Sequence, residues 1–141
     1  VVYVSSIYIG LVLETILQDF LDTPVSPELL PLYDDKIVQK TEDIVGPYEL
    51  HDFFIYHMVR FGDEPRKLYK KTKLAFKDKY DKDTIKKWLR LFYWRFFSQQ
   101  FKRSCIPDGP KVGSVALSPR GDWRMPSDAN VQIWLDEVER I

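Results

Sequence analysis

From Leu13 onward the apolar residues recur at helical spacing: Leu13, Ile16, Leu17, Phe20 and Leu21 share one face, and the pattern stops before Pro24. The β-branched run Val1–Leu13 fits either a buried strand or the start of that helix. Residues 22–47 contain four prolines and read as an irregular segment, with Pro47 suited to the first turn of the next helix. That helix carries Leu50, Phe53, Phe54, His57, Met58 and Phe61 on one face and stops at Gly62. Pro65 opens another, with Leu68, Tyr69, Thr72, Ala75 and Phe76 inward and lysines outward. Asp81 or Asp83 caps the main core helix, whose stripe is Ile85, Trp88, Leu89, Phe92, Phe96 and Phe97, running up to Phe101. Ser127 or Asp128 caps a last amphipathic helix with Val131, Trp134, Leu135 and Val138.

Between the last two helices lies Phe101–Asp128, where Pro107, Pro110, Pro119, Gly109, Gly113 and Gly121 interrupt any regular element. A loop of this length inside a compact domain is either functional or disordered. Val112, Val115, Leu117, Trp123 and Met125 give it apolar anchors, so order is expected. Lys102 and Arg103 sit on the last turn of the core helix or just beyond, where cations suit the negative end of its dipole and can meet phosphate or carboxylate. Two readings stand side by side: a loop pinned by its own apolar residues, or a ligand clamp with close backbone approach at Gly109 and Gly113.

With 45% apolar and 15% aromatic residues among 141, the chain can bury a core as one unit spanning 1–141. Its formal charge of zero hides a partition. Residues 1–65 carry twelve acids and three bases, 66–90 three acids and eleven bases, and 91–141 six acids and seven bases. Because the lysines of 66–90 alternate with core positions, they read as a solvated face rather than a nucleic-acid surface. One cysteine, Cys105, excludes an internal disulfide and suits a reducing compartment. His51 and His57, six apart with no Cys pair, do not make a metal-binding pattern. The apolar start is too short to span a bilayer and lacks the features of a signal peptide, and the chain reads as a piece of a longer protein.

Four blocks carry a resemblance: SPELLP (26–31), QKTEDIVGPYELHDF (39–53), RFFSQQFKRSCIPDGPKVGS (95–114) and LSPRGDWRMPSD (117–128). Over residues 13–141 the chain resembles the C-terminal part of bacterial glutamine-dependent NAD synthetases. The resemblance implies a mainly α, helical segment with long ordered loops, part of a larger α/β, Rossmann-like synthetase domain of the adenine-nucleotide α-hydrolase type. It implies an ATP- and magnesium-dependent amidation of deamido-NAD through an adenylate, with ammonia from a glutaminase domain, in the cytoplasm and in a homo-oligomer, without membrane or nucleic acid. By position, it implies ATP contacts from Ser26 and Glu28, and deamido-NAD contacts from Lys102 with Arg103 beside it. Asp122 and Arg124 fall near the nucleotide or ammonia passage, and Thr41, Glu42 and Asp43 order a loop. Phe101 stands where the short ammonia-dependent members have a histidine. No catalytic residue or metal ligand falls in this chain; the phosphate loop, the magnesium acid and the glutaminase would lie upstream of Val1, and the chain alone is expected to be inactive. A rival reading is an autonomous helical interaction module whose basic face binds acidic partners or nucleic acid.

Overall fold

A computed structural model describes residues 11–23 and 41–141, and no strand occurs among them. Two compact units divide the chain, Val1–Ile44 and Val45–Ile141. In the first, α1 (Leu11–Asp22) forms as the spacing of its apolar residues predicts and leaves Ile16 and Phe20 exposed. Most of the opening β-branched run, with Ser26 and Glu28, lies outside the described residues. The short α2 (Thr41–Val45) follows.

The second unit contains α3 (Tyr48–Phe61), α4 (Pro65–Ala75), α5 (Lys82–Ser98), α6 (Gln100–Ser104) and α7 (Gln132–Glu139). Helix α3 ends where Gly62 adopts φ +64°, a left-handed conformation that glycine reaches without strain, and its N–H donates to Met58 O at 2.9 Å. Pro65 occupies the first turn of α4. Of the two aspartates considered for α5, Asp81 is the cap: its Oδ1 accepts from Thr84 N at 3.2 Å.

The core sits around α5, which packs against α3, α4 and α7. It joins Leu50, Phe54 and Met58 to Leu68, Ile85, Leu89, Phe92, Tyr93, Phe96, Leu135 and Val138, all buried. Burying such a side chain contributes about 1.5–3 kcal/mol. Ring edges order it: Phe54 and Phe92 centroids lie 5.4 Å apart, and Tyr93 meets Trp134 at 5.0 Å and 86°. Two polar ties close α7 onto α5, Arg90 Nε to Glu139 Oε1 at 2.5 Å and Lys86 Nζ to Glu139 O at 2.9 Å.

Two expectations are corrected. Phe61 and Ala75 are exposed, because each is the last residue of its helix and the chain turns away there; the Phe61 ring lies against Tyr56 instead, at 5.3 Å. Neither Ser127 nor Asp128 caps α7, which begins only at Gln132, where Asn130 Oδ1 accepts from Gln132 N at 2.7 Å. Trp88, like Phe97 on the same stripe, is partly buried against the core as expected, and it lies over Gly46, whose φ is +97°. No described helix is long and apolar enough to cross a membrane.

Candidate functional site: the end of the core helix and its loop

Helix α5 breaks at Gln99, and the chain resumes as α6, so Lys102 and Arg103 stand on a separate short helix just past the core helix. The break directs two neighbouring cations differently. Arg103 turns inward: Nε donates to Gln100 Oε1 at 2.7 Å, Nη2 donates to Phe96 O, and the guanidinium lies 4.1 Å from the Phe96 ring centre. Burial pushes its pKa below the ordinary arginine value. Lys102 is exposed, with Nζ 6.0 Å from the Phe101 ring centre, and it makes no ion pair or hydrogen bond with a described residue.

At this helix end, sequence patterning missed Gln100. Its side chain is fully buried, accepts from Arg103 and donates through Nε2 to Met125 O at 2.9 Å, tying the far end of the loop to the helix. A signal existed: Gln100 continues the buried spacing Ile85, Leu89, Phe92, Phe96, and a polar side chain at such a position must find partners.

The loop runs from Cys105 to Val131 without a regular element, as expected, and is held by two clasps. Asp122 Oδ2 accepts from Ala116 N at 2.8 Å and pairs with Lys111 Nζ at 2.8 Å. The Lys111 and Ala116 hydrogen bonds hold its carboxyl below the usual value. Arg120 Nε pairs with Asp108 Oδ1 at 2.8 Å, and Nη2 donates to Ile106 O. Trp123 sets its edge on Phe96, with centroids 5.3 Å apart. A cavity of ≈ 550 Å³ opens inside the loop beside Ile106, Lys111, Leu117 and Arg120, and a second of ≈ 410 Å³ lies against α3, lined by Asp52, Tyr56, Arg60, Ser114 and Leu117.

Within the second unit, Lys102, Arg103, Asp122 and Arg124 make no hydrogen bond or ion pair with one another. Asp122 serves the loop clasp and Arg103 the helix end, while Lys102 and Arg124 are exposed and have no hydrogen-bond or ion-pair partner among the described residues. Thr41, Glu42 and Asp43 begin α2, with Glu42 exposed. Among the described residues no three of His, Cys, Asp and Glu gather into a group able to hold a metal ion.

These features define a class: a helical segment whose core helix ends in a cationic pair, one cation locked and one free, under an ordered loop. No protein-family model matches the chain. Among curated proteins it is 43% identical, over 145 aligned positions and 90% of its length, to the glutamine-dependent NAD(+) synthetase of Mycobacterium leprae. It is 41% identical, over 143 positions and 89% of its length, to the proteins of the same name from Mycobacterium bovis and Mycobacterium tuberculosis. Each alignment takes in 21% of the relative, so the chain spans about a fifth of the length of these synthetases.

Proposed function

We propose that this chain forms the C-terminal helical part of the synthetase domain of a cytoplasmic, homo-oligomeric glutamine-dependent NAD(+) synthetase, and that its residues 1–141 serve that domain as one unit. The domain is of the larger α/β, Rossmann-like kind, and the whole enzyme amidates deamido-NAD at the expense of ATP, with ammonia drawn from glutamine. A carboxylate is a poor acyl donor, so adenylation supplies the leaving group while cations balance the phosphate charge. Identity of 41–43% across nine-tenths of the chain supports this reading.

Within it, Lys102 supplies a compact, mobile cation to the dinucleotide substrate, and its exposure without a partner supports that role. Arg103 and Gln100 are positioning residues: they hold the short helix against Phe96 and the loop against the helix, which fixes where the Lys102 ammonium stands. Arg124 is a second free cation for the same substrate, and Asp122 shapes the loop beside it. Ser26 and Glu28 contact ATP, and Thr41, Glu42 and Asp43 order their own segment. The magnesium ligands, in this reading, belong to the rest of the enzyme.

The test is Lys102→Ala in the full-length synthetase. Loss of a charged hydrogen bond of roughly 1.4 kcal/mol or more raises KM for deamido-NAD about tenfold or beyond, with folding unchanged. Unaltered KM and kcat for deamido-NAD would remove the assignment.

A further inference from the structure

Helix α3 carries a second stripe besides its core face. Leu50, Phe54 and Met58 enter the core, while Ile55 and Val59 stand on another side among Asp52, Tyr56 and Arg60. These five recur at alternating intervals of three and one, the spacing of a single helical face. Val115 and Leu117 of the loop line the same space without closing on the stripe, and a cavity of ≈ 410 Å³ is left between helix and loop. A loop that only covered apolar side chains would pack down onto them. The space left here is of the size that small-molecule pockets have.

Its helical wall is charged oppositely at its two ends. Asp52 and Arg60 are eight residues apart, about 12 Å along the axis at 1.5 Å per residue, too far to pair with each other. Neither makes a hydrogen bond or ion pair with another described residue, and Tyr56, 57% exposed, stands between them. Gly113 lines the same cavity. A Cβ there would meet only the Val115 carbonyl oxygen, at 3.7 Å, and its φ is not positive, so the chain itself does not require a glycine at this position. Its bare backbone leaves room for another molecule to approach.

The lining selects the chemistry of that molecule. A carboxylate accepts from N–H groups, a phenol ring takes a flat heterocycle, and a guanidinium binds phosphate. A mononucleotide whose base bears an amino or amide N–H has these three parts in this order, and in extended form it bridges a gap of this size. Ser114, in the loop wall, offers a hydroxyl to the ribose.

We propose that the cavity between α3 and the loop binds a mononucleotide, its base N–H donated to Asp52, its ring on Tyr56 and its phosphate on Arg60. Adenine and nicotinamide both supply the N–H, whereas hypoxanthine and nicotinate present an oxygen at that place. Neither Lys102 nor Arg124 lines the cavity, and the proposal does not rest on the enzymatic reading above.

The experiment is isothermal titration calorimetry of the full chain with adenosine monophosphate and nicotinamide mononucleotide, each against its oxygen-bearing counterpart, inosine monophosphate or nicotinic acid mononucleotide. The expected result is saturable binding of at least one N–H-bearing nucleotide, about tenfold tighter than its counterpart. Arg60→Gln weakens it about tenfold, and Asp52→Ala removes the preference for the N–H-bearing base, a change that general loss of folding cannot produce. Gly113→Val crowds the cavity and abolishes binding with the urea midpoint unchanged. Binding of adenosine monophosphate alone assigns an adenine nucleotide and of nicotinamide mononucleotide alone a pyridine nucleotide, and either upholds the site. No saturable binding of either, equal affinity for the oxygen-bearing counterparts, or affinity retained in Arg60→Gln and Gly113→Val overturns the proposal. So does affinity lost in Lys102→Ala but kept in Arg60→Gln, which would place the nucleotide at the end of α5.

Discussion

Gln100 offers the most direct test of how the loop is held. Its amide is fully buried, Oε1 accepting from Arg103 Nε at 2.7 Å and Nε2 donating to Met125 O at 2.9 Å. A neutral hydrogen bond contributes about 1 kcal/mol net, and one to a charged group about 1.5–3 kcal/mol. Gln100→Ala removes both, leaves the Met125 carbonyl and Arg103 Nε without this partner, and opens a void, so a loss of about 3 kcal/mol is expected in urea denaturation. Gln100→Glu separates the two contacts. It keeps an acceptor for Arg103 but sets a carboxylate oxygen against the Met125 carbonyl, so the helix end stays tied while the loop is pushed off. Hydrogen exchange reads the difference, because Ala116, Gly121 and Trp123 amides are bonded within the loop and α5 amides within the helix. The Glu variant should speed exchange at those loop amides and spare α5. Wild-type denaturation midpoints for both variants, or loop amides already exchanging freely in the parent chain, would refute the tie.

Two further perturbations bear on the frame behind the site. Asp63, whose side chain is fully enclosed, is bonded by Lys67, Lys71 and His57; burial would raise its pKa, and these three cationic or hydrogen-bonding neighbours overcome that and lower it to about 2. A carboxyl lowered on folding stabilises above its unfolded value near 4 and loses that contribution as pH falls toward 2. Allowing for screening at the exposed lysines, Asp63→Asn costs about 1–2 kcal/mol at pH 7 and almost nothing at pH 2; a pH-independent difference in urea midpoints would contradict this. Gly46→Ala places a Cβ 2.5 Å from Trp88 Cε3 at a φ of +97°, and overpacking with backbone strain costs about 2 kcal/mol or more, measured by thermal melting, whereas an unchanged melting temperature would show that Trp88 moves aside freely.

Helices α3, α4 and α5 were legible because their punctuation is local: a left-handed glycine at 62, a proline at 65 and an aspartate at 81 each act within one turn. Apolar spacing likewise found most of the core. It missed Tyr93 and Gln100, which occupy buried positions with polar atoms, and it misplaced the start of α7, because Ser127, Asp128 and Asn130 have equal capping chemistry and only tertiary packing chooses among them. The break at Gln99 has no proline or glycine to announce it. The loop clasps were invisible for another reason: Lys111 and Asp122 are eleven apart in a segment without period, and nothing in either residue's neighbourhood specifies the other. As for the candidate site, the Lys102–Arg103 pair could be located from sequence, but the opposite orientations of the two could not.

That opposition gives the pair its meaning. Arginine's planar fork can stack on a ring and bond two acceptors at once, and Arg103 uses it on Phe96 and Gln100; lysine's single ammonium on a flexible stem cannot do both. Locking the arginine therefore leaves the lysine as the mobile charge, and exchanging the two residues would lose both roles although net charge is kept. The same subtraction runs through the loop. Lys111 is spent on Asp122, Arg120 on Asp108 and Arg103 on the helix end, so Lys102 and Arg124 are the cations of this stretch without a hydrogen-bond or ion-pair partner among the described residues. At the other end of α5 the remainder is Lys70, Lys73, Lys77 and Lys82 around Leu74. Cations without a side-chain partner among the described residues thus stand at both ends of the core helix, as Arg60, Arg66, Arg95 and Arg140 do elsewhere, and the two ends differ in what surrounds them. Lys102 stands on the short α6 and Arg124 on the ordered loop that follows it, whereas the four lysines surround an exposed leucine.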